Sequence, residues 1–323
     1  MIESVVILAG GRGSRLAPAT DTCPKPMIPL ANRPMIEYIF EKLPDSVKTV
    51  YVTIYHLSER LRNYLENGKF RFKIEMIEED KPLGTGGALK HLKNRLNSDF
   101  FVINGDVISS INFSDMEQYH LKKHSLVTVA VWTVANPSSY GLIHVASDTK
   151  VLDFAEKPAS FTEKQNIINA GMYIFSPHVL EHLPDKELIS IEKDIFPQLA
   201  KTERMFSYKF EGYWIDAGTL ERFLYANRVI LDNGRVSTDT IHAIPENVHL
   251  KMPVDISMNV SIKESSTIGP YASVGPDVKI GRHVRIHNSV ILNNTEIEEG
   301  ITIENSIISE NRYVNENIIS KIY

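Results

Sequence analysis

An apolar run, Val5-Val6-Ile7-Leu8-Ala9, opens into Gly10-Gly11-Arg12-Gly13-Ser14-Arg15-Leu16, and Pro24-Lys25-Pro26 follows shortly. Strand-forming residues that end in bare glycines can turn successive backbone amides toward a polyphosphate, and Arg15 and Lys25 stand near enough in sequence to add positive charge. This is a phosphate cradle. It is not the dinucleotide fingerprint, because Leu16 falls where a third glycine belongs and no carboxylate stands at the distance that holds a ribose hydroxyl. It is not a Walker loop either, since no Gly-Lys-Ser/Thr follows at the required spacing. Two carboxylates sit in comparable settings: Asp106, one glycine beyond the strand-like Phe101 to Ile103, and Asp216, which opens the turn Asp216-Ala217-Gly218. Taken singly, Arg15 also reads as a surface ion pair, Lys25 as a solvated loop lysine, and each aspartate as a cap of its own turn.

These residues need a frame. Up to about Asn233, strand-like runs alternate with helical patterns: Val5 to Ala9 then Pro34 to Leu43, Thr49 to Tyr55 then Leu57 to Glu66, Phe72 to Ile77 then Ala88 to Leu96, Phe100 to Ile103 then Ser114 to Lys123. Such alternation with short connections predicts a Rossmann-like α/β domain, a mostly parallel sheet covered on both faces. Leu126 to Thr133 and the pair Leu142 to Val145 and Val151 to Glu156 are expected to be antiparallel additions. A helix from Leu220 to Leu231, N-capped by Thr219, closes the unit. The predicted catalytic domain is therefore 1–233.

Beyond it the periodicity changes. Branched aliphatics recur every six residues at Ile262, Ile268, Val274, Ile280 and Ile286, and Ile297, Ile301, Ile303 and Ile307 continue a looser version. A hexad repeat predicts a left-handed parallel β-helix over 234–323, about three hexads per coil and three or four coils; plain hairpins are the competing reading. Ile301, Ile303, Ile307, Ile308, Ile318, Ile319 and Ile322 crowd the final stretch, more than thin coils are expected to bury, which predicts an apolar contact in a homo-oligomer.

The 323 residues carry 43% hydrophobic and 23% charged side chains, an ordinary globular balance. A net charge of −5 leaves no global basic field, so nucleic acid is not an expected partner and phosphate must be met by local cations. The single cysteine, Cys23, excludes an intrachain disulfide and a cysteine-only zinc site, and suits a reducing, cytoplasmic setting. No leader or membrane span is expected.

The opening signature resembles that of the sugar-1-phosphate nucleotidyltransferases, G-G-x-G-x-R-L followed by P-K-P. The resemblance extends through Pro82-Leu83-Gly84-Thr85-Gly86-Gly87, Asn104-Gly105-Asp106-Val107, Ser139-Tyr140-Gly141, Phe154-Ala155-Glu156-Lys157-Pro158 and Gly212-Tyr213-Trp214-Ile215-Asp216-Ala217-Gly218. Asn169 to Phe175 and Ser190 to Pro197 lean toward the mannose-1-phosphate guanylyltransferase branch, also called GDP-mannose pyrophosphorylase. Ala17 departs from the pattern, since many relatives carry a second arginine there.

The reaction implied is attack by a sugar-1-phosphate oxygen on the α-phosphorus of a nucleoside triphosphate, with loss of pyrophosphate. Both reactants are anions, so charge cancellation and alignment dominate. The resemblance implies that Gly10, Gly11 and Gly13 wrap the triphosphate with amides, with Leu8, Ala9 and Ser14 also in nucleotide contact. It gives Arg15 to the outgoing β- and γ-phosphates and Lys25 to the α-phosphate and sugar phosphate, in keeping with their bidentate and point-charge geometries. Asp106 and Asp216 would hold Mg2+, which prefers one or two protein carboxylates with phosphate and water. Glu156 and Lys157 would face the sugar and its phosphate, Gly141, Asn169 and Gly171 would complete that pocket, and Gly84 and Thr85 would pack along ribose or base.

Guanine presents donors at N1 and N2, which a carboxylate can accept. Glu79 stands where uridylyl- and thymidylyltransferases tend to carry a glutamine, an arrangement that favours GTP. It is equally one more charge in the run Glu78-Glu79-Asp80-Lys81. A uridylyl- or thymidylyltransferase for glucose 1-phosphate and a non-catalytic nucleotide-sugar-binding relative remain the alternatives. An acyltransferase role for His283 and His287 has no acyl-carrier site to support it, so both are expected to be corner residues.

Overall fold

The computed structural model describes residues 1–55, 57–157, 166–234, 245 and 247–323. Pro158, the last residue of the segment Phe154 to Pro158, lies outside them. By packing, the chain divides into two compact units, Met1–Gly11 with Ile39–Trp214, and Arg12–Tyr38 with Ile215–Tyr323.

The first unit is built on the strand Ser4–Leu8, whose Val5, Val6 and Ile7 are fully buried. A strand buried on both faces reads as a continuous apolar run, and this one is flanked in parallel by Thr49–Ile54 and Phe100–Asn104. Lys73–Glu78 extends the parallel part beyond Thr49–Ile54. On the other side, Ile167–Phe175 runs antiparallel to Phe100–Asn104 and to Val127–Thr133, and Gly141–Val145 pairs antiparallel with Val151–Glu156. One strand of this main sheet was not anticipated: Met205–Lys209 joins Val127–Thr133 in parallel. The helical pattern expected over 88–96 closes earlier, as Gly87–His91 followed by turns.

This order contains a switch point. From Ser4–Leu8 the chain moves outward to one side through two strands, then returns to the other side with Phe100–Asn104. The crevice outside the carboxyl ends of strands at such a reversal is where open α/β sheets bind ligands. Gly10 and Gly11 follow one of those ends, Asp106 another.

In the second unit the hexads fold as predicted into stacked coils with three faces, of five, four and four strands, all parallel. His249 lies opposite Thr267 and Ser261 opposite Lys279, eighteen positions on, so three hexads make one coil. The corners use left-handed backbone, with Asn259, Asp277, Asn294 and Asn311 forming one column and Asn288 and Asn305 part of another. Stacked amides reinforce them: Asn294 Nδ2 donates to Asn311 Oδ1 at 2.8 Å and Asn288 Nδ2 to Asn305 Oδ1 at 2.7 Å. His283 is such a corner, whereas His287 ends the strand Arg285–His287.

The aliphatic excess near the end is corrected by burial. Ile301, Ile303, Ile308 and Ile318 point into the coils, Ile307 is buried on the opposite side of its strand from Ile308, Ile322 is half-buried, and among the seven only Ile319 is largely exposed. The helix Leu220–Asp232 also belongs to this unit. Its buried Asn227 Oδ1 accepts from Ala31 N–H at 2.9 Å and from Ser273 Oγ at 2.8 Å, and Arg228 lies over the ring of Tyr271. Asn32 Nδ2 donates to the carbonyls of Asp255 and Val274 at 3.1 and 3.0 Å.

Candidate active site

In the first unit the glycine turn is anchored from a neighbouring strand. The amides of Ala9 and Gly10 donate to Thr53 Oγ1 at 2.9 and 3.1 Å. Glu79 follows Lys73–Glu78, and its amide donates to the Ile54 carbonyl at 3.0 Å. A Cβ at Gly10 would lie 3.3 Å from Glu79 Oε2, so the carboxylate rests against the turn. At Gly11 an added Cβ would meet nothing within 4 Å. The surface-run reading of Glu79 is thereby resolved: Glu78 is exposed and pairs with Arg62, while Glu79 is half-buried and points inward. Burial raises the Glu79 carboxyl above its ordinary value, opposed by the Leu83 amide that donates to it at 3.4 Å.

Gly84 adopts φ +78°, and a Cβ there would come within 2.3 Å of the Ile189 carbonyl, so only glycine fits this close approach. Thr85 beside it is committed within the protein: its hydroxyl donates to Glu192 Oε2 at 2.7 Å and accepts from the Ile191 amide at 2.9 Å. Asp106 is half-buried just past Phe100–Asn104.

The sugar-side candidates lie on the antiparallel strands. Pairing between Ile167–Phe175 and Val127–Thr133 is interrupted between Asn169 and Tyr173. Inside that bulge Gly171 takes φ +72°, its amide donating to Asn169 Oδ1 at 2.9 Å. Asn169 Nδ2 donates to the Tyr173 hydroxyl at 2.8 Å. A Cβ at Gly141 would sit 2.8 Å from Glu156 Oε2, placing that carboxylate over the glycine. Lys157 Nζ is 3.6 Å from Glu156 Oε1 and extends outward. Burial, and then the negative charge of Glu192, raise the Glu156 carboxyl, while Lys157 opposes them. Glu192 was not singled out from the sequence; its only signal was its place in the segment Ser190 to Pro197.

In the second unit Gly13 opens the turn Ser14–Leu16 with φ +66°. A Cβ there would lie 2.9 Å from Thr20 Cγ2 and 3.0 Å from Lys25 Cβ. Lys25 is 8% exposed, which removes the solvated-loop reading. Arg15 and Asp216 converge on Gly218, whose Cβ would lie 2.8 Å from Arg15 Nη2 and 2.6 Å from Asp216 Oδ1. Asp216 Oδ2 accepts from Arg222 at 3.0 Å, and Thr219 caps the helix by accepting from the Arg222 amide at 3.4 Å. Among the described residues no group of three or more His, Cys, Asp or Glu is placed to hold a metal.

A glycine turn at the switch point of a mostly parallel sheet, with Asp106 past the end of the adjacent strand and Glu79 past the end of the outermost one, defines a nucleotide-binding α/β domain. Residues 4–233 match the nucleotidyl transferase family model and residues 250–321 the model of the GMPPB C-terminal domain; the chain belongs to the nucleotidyl transferase family. It is 40% identical over 228 residues to a mannose-1-phosphate guanyltransferase of Yarrowia lipolytica, covering 68% of this chain and 61% of that protein. It is 35% identical over 256 residues to the bifunctional protein GlmU of Methanocaldococcus jannaschii, covering 78% and 59%. The crystal structure of HddC from Yersinia pseudotuberculosis complexed with GMP-PN superposes with a TM-score of 0.58 at 27% identity, over 71% of this chain and all of that one. The chain thus spans about three fifths of the length of these two curated relatives.

Proposed function

We propose that the chain transfers GMP from GTP to mannose 1-phosphate, giving GDP-mannose and pyrophosphate, with residues 1–233 carrying the chemistry. The observation that carries this reading is Glu79, an inward carboxylate against the Gly10 turn, able to accept from guanine N1 and N2 where an amide would suit uracil or thymine. The names of the Yarrowia relative and of the matched C-terminal model point the same way. In this reading the amides of Gly10, Gly11 and Gly13 hold the triphosphate. Arg15 neutralises the departing β- and γ-phosphates, and Lys25 bridges the α-phosphate and the sugar phosphate. A sugar-phosphate oxygen then forms the new bond to the α-phosphorus as the bond to the β-phosphate oxygen breaks. Glu156, Asn169 and Gly171 face the sugar, and Lys157 meets its phosphate.

Hard oxygen donors suit magnesium, and the chain supplies them at Asp106 and Asp216; when bound, the ion would offset charge on the reacting phosphates. We also infer a homo-oligomer through the repeat coils, supported by exposed Met258, Tyr313 and Ile319; light scattering at micromolar concentration should give a mass above the 36.5 kDa of one chain. Among the described residues no helix is long and apolar enough to cross a membrane. The deciding experiment is pyrophosphate release from four nucleoside triphosphates against mannose, glucose and N-acetylglucosamine 1-phosphates. GTP with mannose 1-phosphate should be fastest; faster turnover of UTP or dTTP with glucose 1-phosphate would replace this reading with the uridylyl or thymidylyl one.

A further inference from the structure

Every hydrogen bond around Glu192 has a direction fixed by groups that can only donate. The Gly171 amide donates to Asn169 Oδ1, so Asn169 turns its Nδ2 toward Tyr173. The Tyr173 oxygen therefore accepts there, and its one proton goes to Glu192 Oε1 at 3.3 Å. On the other side the Ile191 amide donates to Thr85 Oγ1, which sends the Thr85 proton to Glu192 Oε2 at 2.7 Å. The Lys193 amide likewise donates to Ser190 Oγ, whose proton goes to Glu192 Oε2 at 2.8 Å. Both oxygens of Glu192 therefore accept, Oε2 from Thr85 and Ser190 and Oε1 from Tyr173, a pattern that a side-chain amide cannot reproduce.

We propose that Glu192 is a positioning residue that ties the turn at Gly84–Thr85 to the bulge at Asn169–Gly171, and so aligns the nucleotide side of the site with the sugar side. The inference rests on the function proposed above, which gives the first turn to the nucleotide and the bulge to the sugar. A glutamine has one accepting oxygen. Thr85 and Ser190 together claim it, which leaves the amide N–H₂ facing the Tyr173 proton. The substitution therefore breaks one arm only. Tyr173 is fully buried and cannot turn to water, so the clash passes to Asn169 and Gly171.

The test is initial-rate kinetics on the full chain, varying GTP and mannose 1-phosphate separately, for wild type, Glu192→Gln, Tyr173→Phe and the double variant. Glu192→Gln should raise KM for the sugar phosphate about tenfold, the scale of one lost hydrogen bond to a charged group, with KM for GTP within about twofold. Tyr173→Phe should show the same sided defect. The double variant should be no worse than Tyr173→Phe alone, because removing the phenol proton removes the clash. Equal changes in both KM values, no change in either, or additive defects in the double variant would overturn the positioning role. If Glu192→Gln fails to fold, the sidedness of Tyr173→Phe alone decides. A wild-type chain that turns over no GTP with mannose 1-phosphate overturns the functional reading itself, and this inference with it, before any variant is made.

Discussion

Gly10 and Glu79 meet in one contact, a glycine turn with a carboxylate resting against it. If that carboxylate reads guanine, Glu79→Gln should reduce the preference for GTP over UTP by ~1–3 kcal/mol, the worth of a paired contact to a base edge. The kcat/KM ratios of the two nucleotides measure it, and an unchanged ratio would return Glu79 to a structural role. Alanine at Asp106 or Asp216 should lower kcat at least ~10²-fold, as for loss of one strong electrostatic stabiliser, and near-normal rates would end the magnesium assignment. Glu156 gives a pH test. Its carboxyl is raised by burial and by Glu192, so the folded state holds its proton to higher pH than the unfolded chain. Its ionisation therefore costs stability, fully above the folded pKa and not at all below the unfolded one. Glu156→Gln should accordingly raise the melting temperature of the ligand-free protein near neutral pH, with the gain vanishing in acid, while activity falls. The glycines, Arg15, Lys25 and both aspartates stood out in the sequence as candidates because charged groups beside glycine turns are visible locally. Glu192 did not, because Thr85 lies 107 residues away and only the fold brings the hydroxyls of Thr85 and Tyr173 to it beside that of Ser190.

The hexads were legible because the inward aliphatics of the first coils recur at a fixed spacing, and three hexads close one such coil. The fate of the late isoleucines was not, because a count of aliphatics does not reveal that Ile301, Ile303, Ile308 and Ile318 serve as inward positions of the last coils and that Ile307 is buried outside them. Nor did sequence order reveal that Leu220–Asp232 rests on those coils. Asn227 is the polar joint of that contact, with one buried oxygen accepting from two donors. Asn227→Ala should strand the Ala31 amide and the Ser273 hydroxyl, each a buried group costing about 1–3 kcal/mol when left unmet. Chemical denaturation should show a loss in that range, and a loss below about 0.5 kcal/mol would mean water or a shifted side chain takes the oxygen's place.

At the scale of the molecule, the compact unit that contains the repeat coils also contains Arg15, Lys25 and Asp216. All of the candidate catalytic residues lie before Asn233 in sequence, but the coils pack in the same unit as the segments that carry three of them. Without the coils, Asn227 loses Ser273, Asn32 loses the carbonyls of Asp255 and Val274, and Arg228 loses the Tyr271 ring. Asn32 belongs to the tight turn joining Pro29–Leu30 and Arg33–Pro34, in the same segment that carries Lys25. A chain ending at Asn233 should therefore melt well below the full-length protein and release pyrophosphate at a small fraction of its rate, with the defect partly recovered by lowering the temperature or adding saturating GTP, since ligand binding favours the folded state. Circular dichroism melts run beside the rate assay check both halves. A truncated chain with full-length melting behaviour and full activity would show that the coils serve assembly alone.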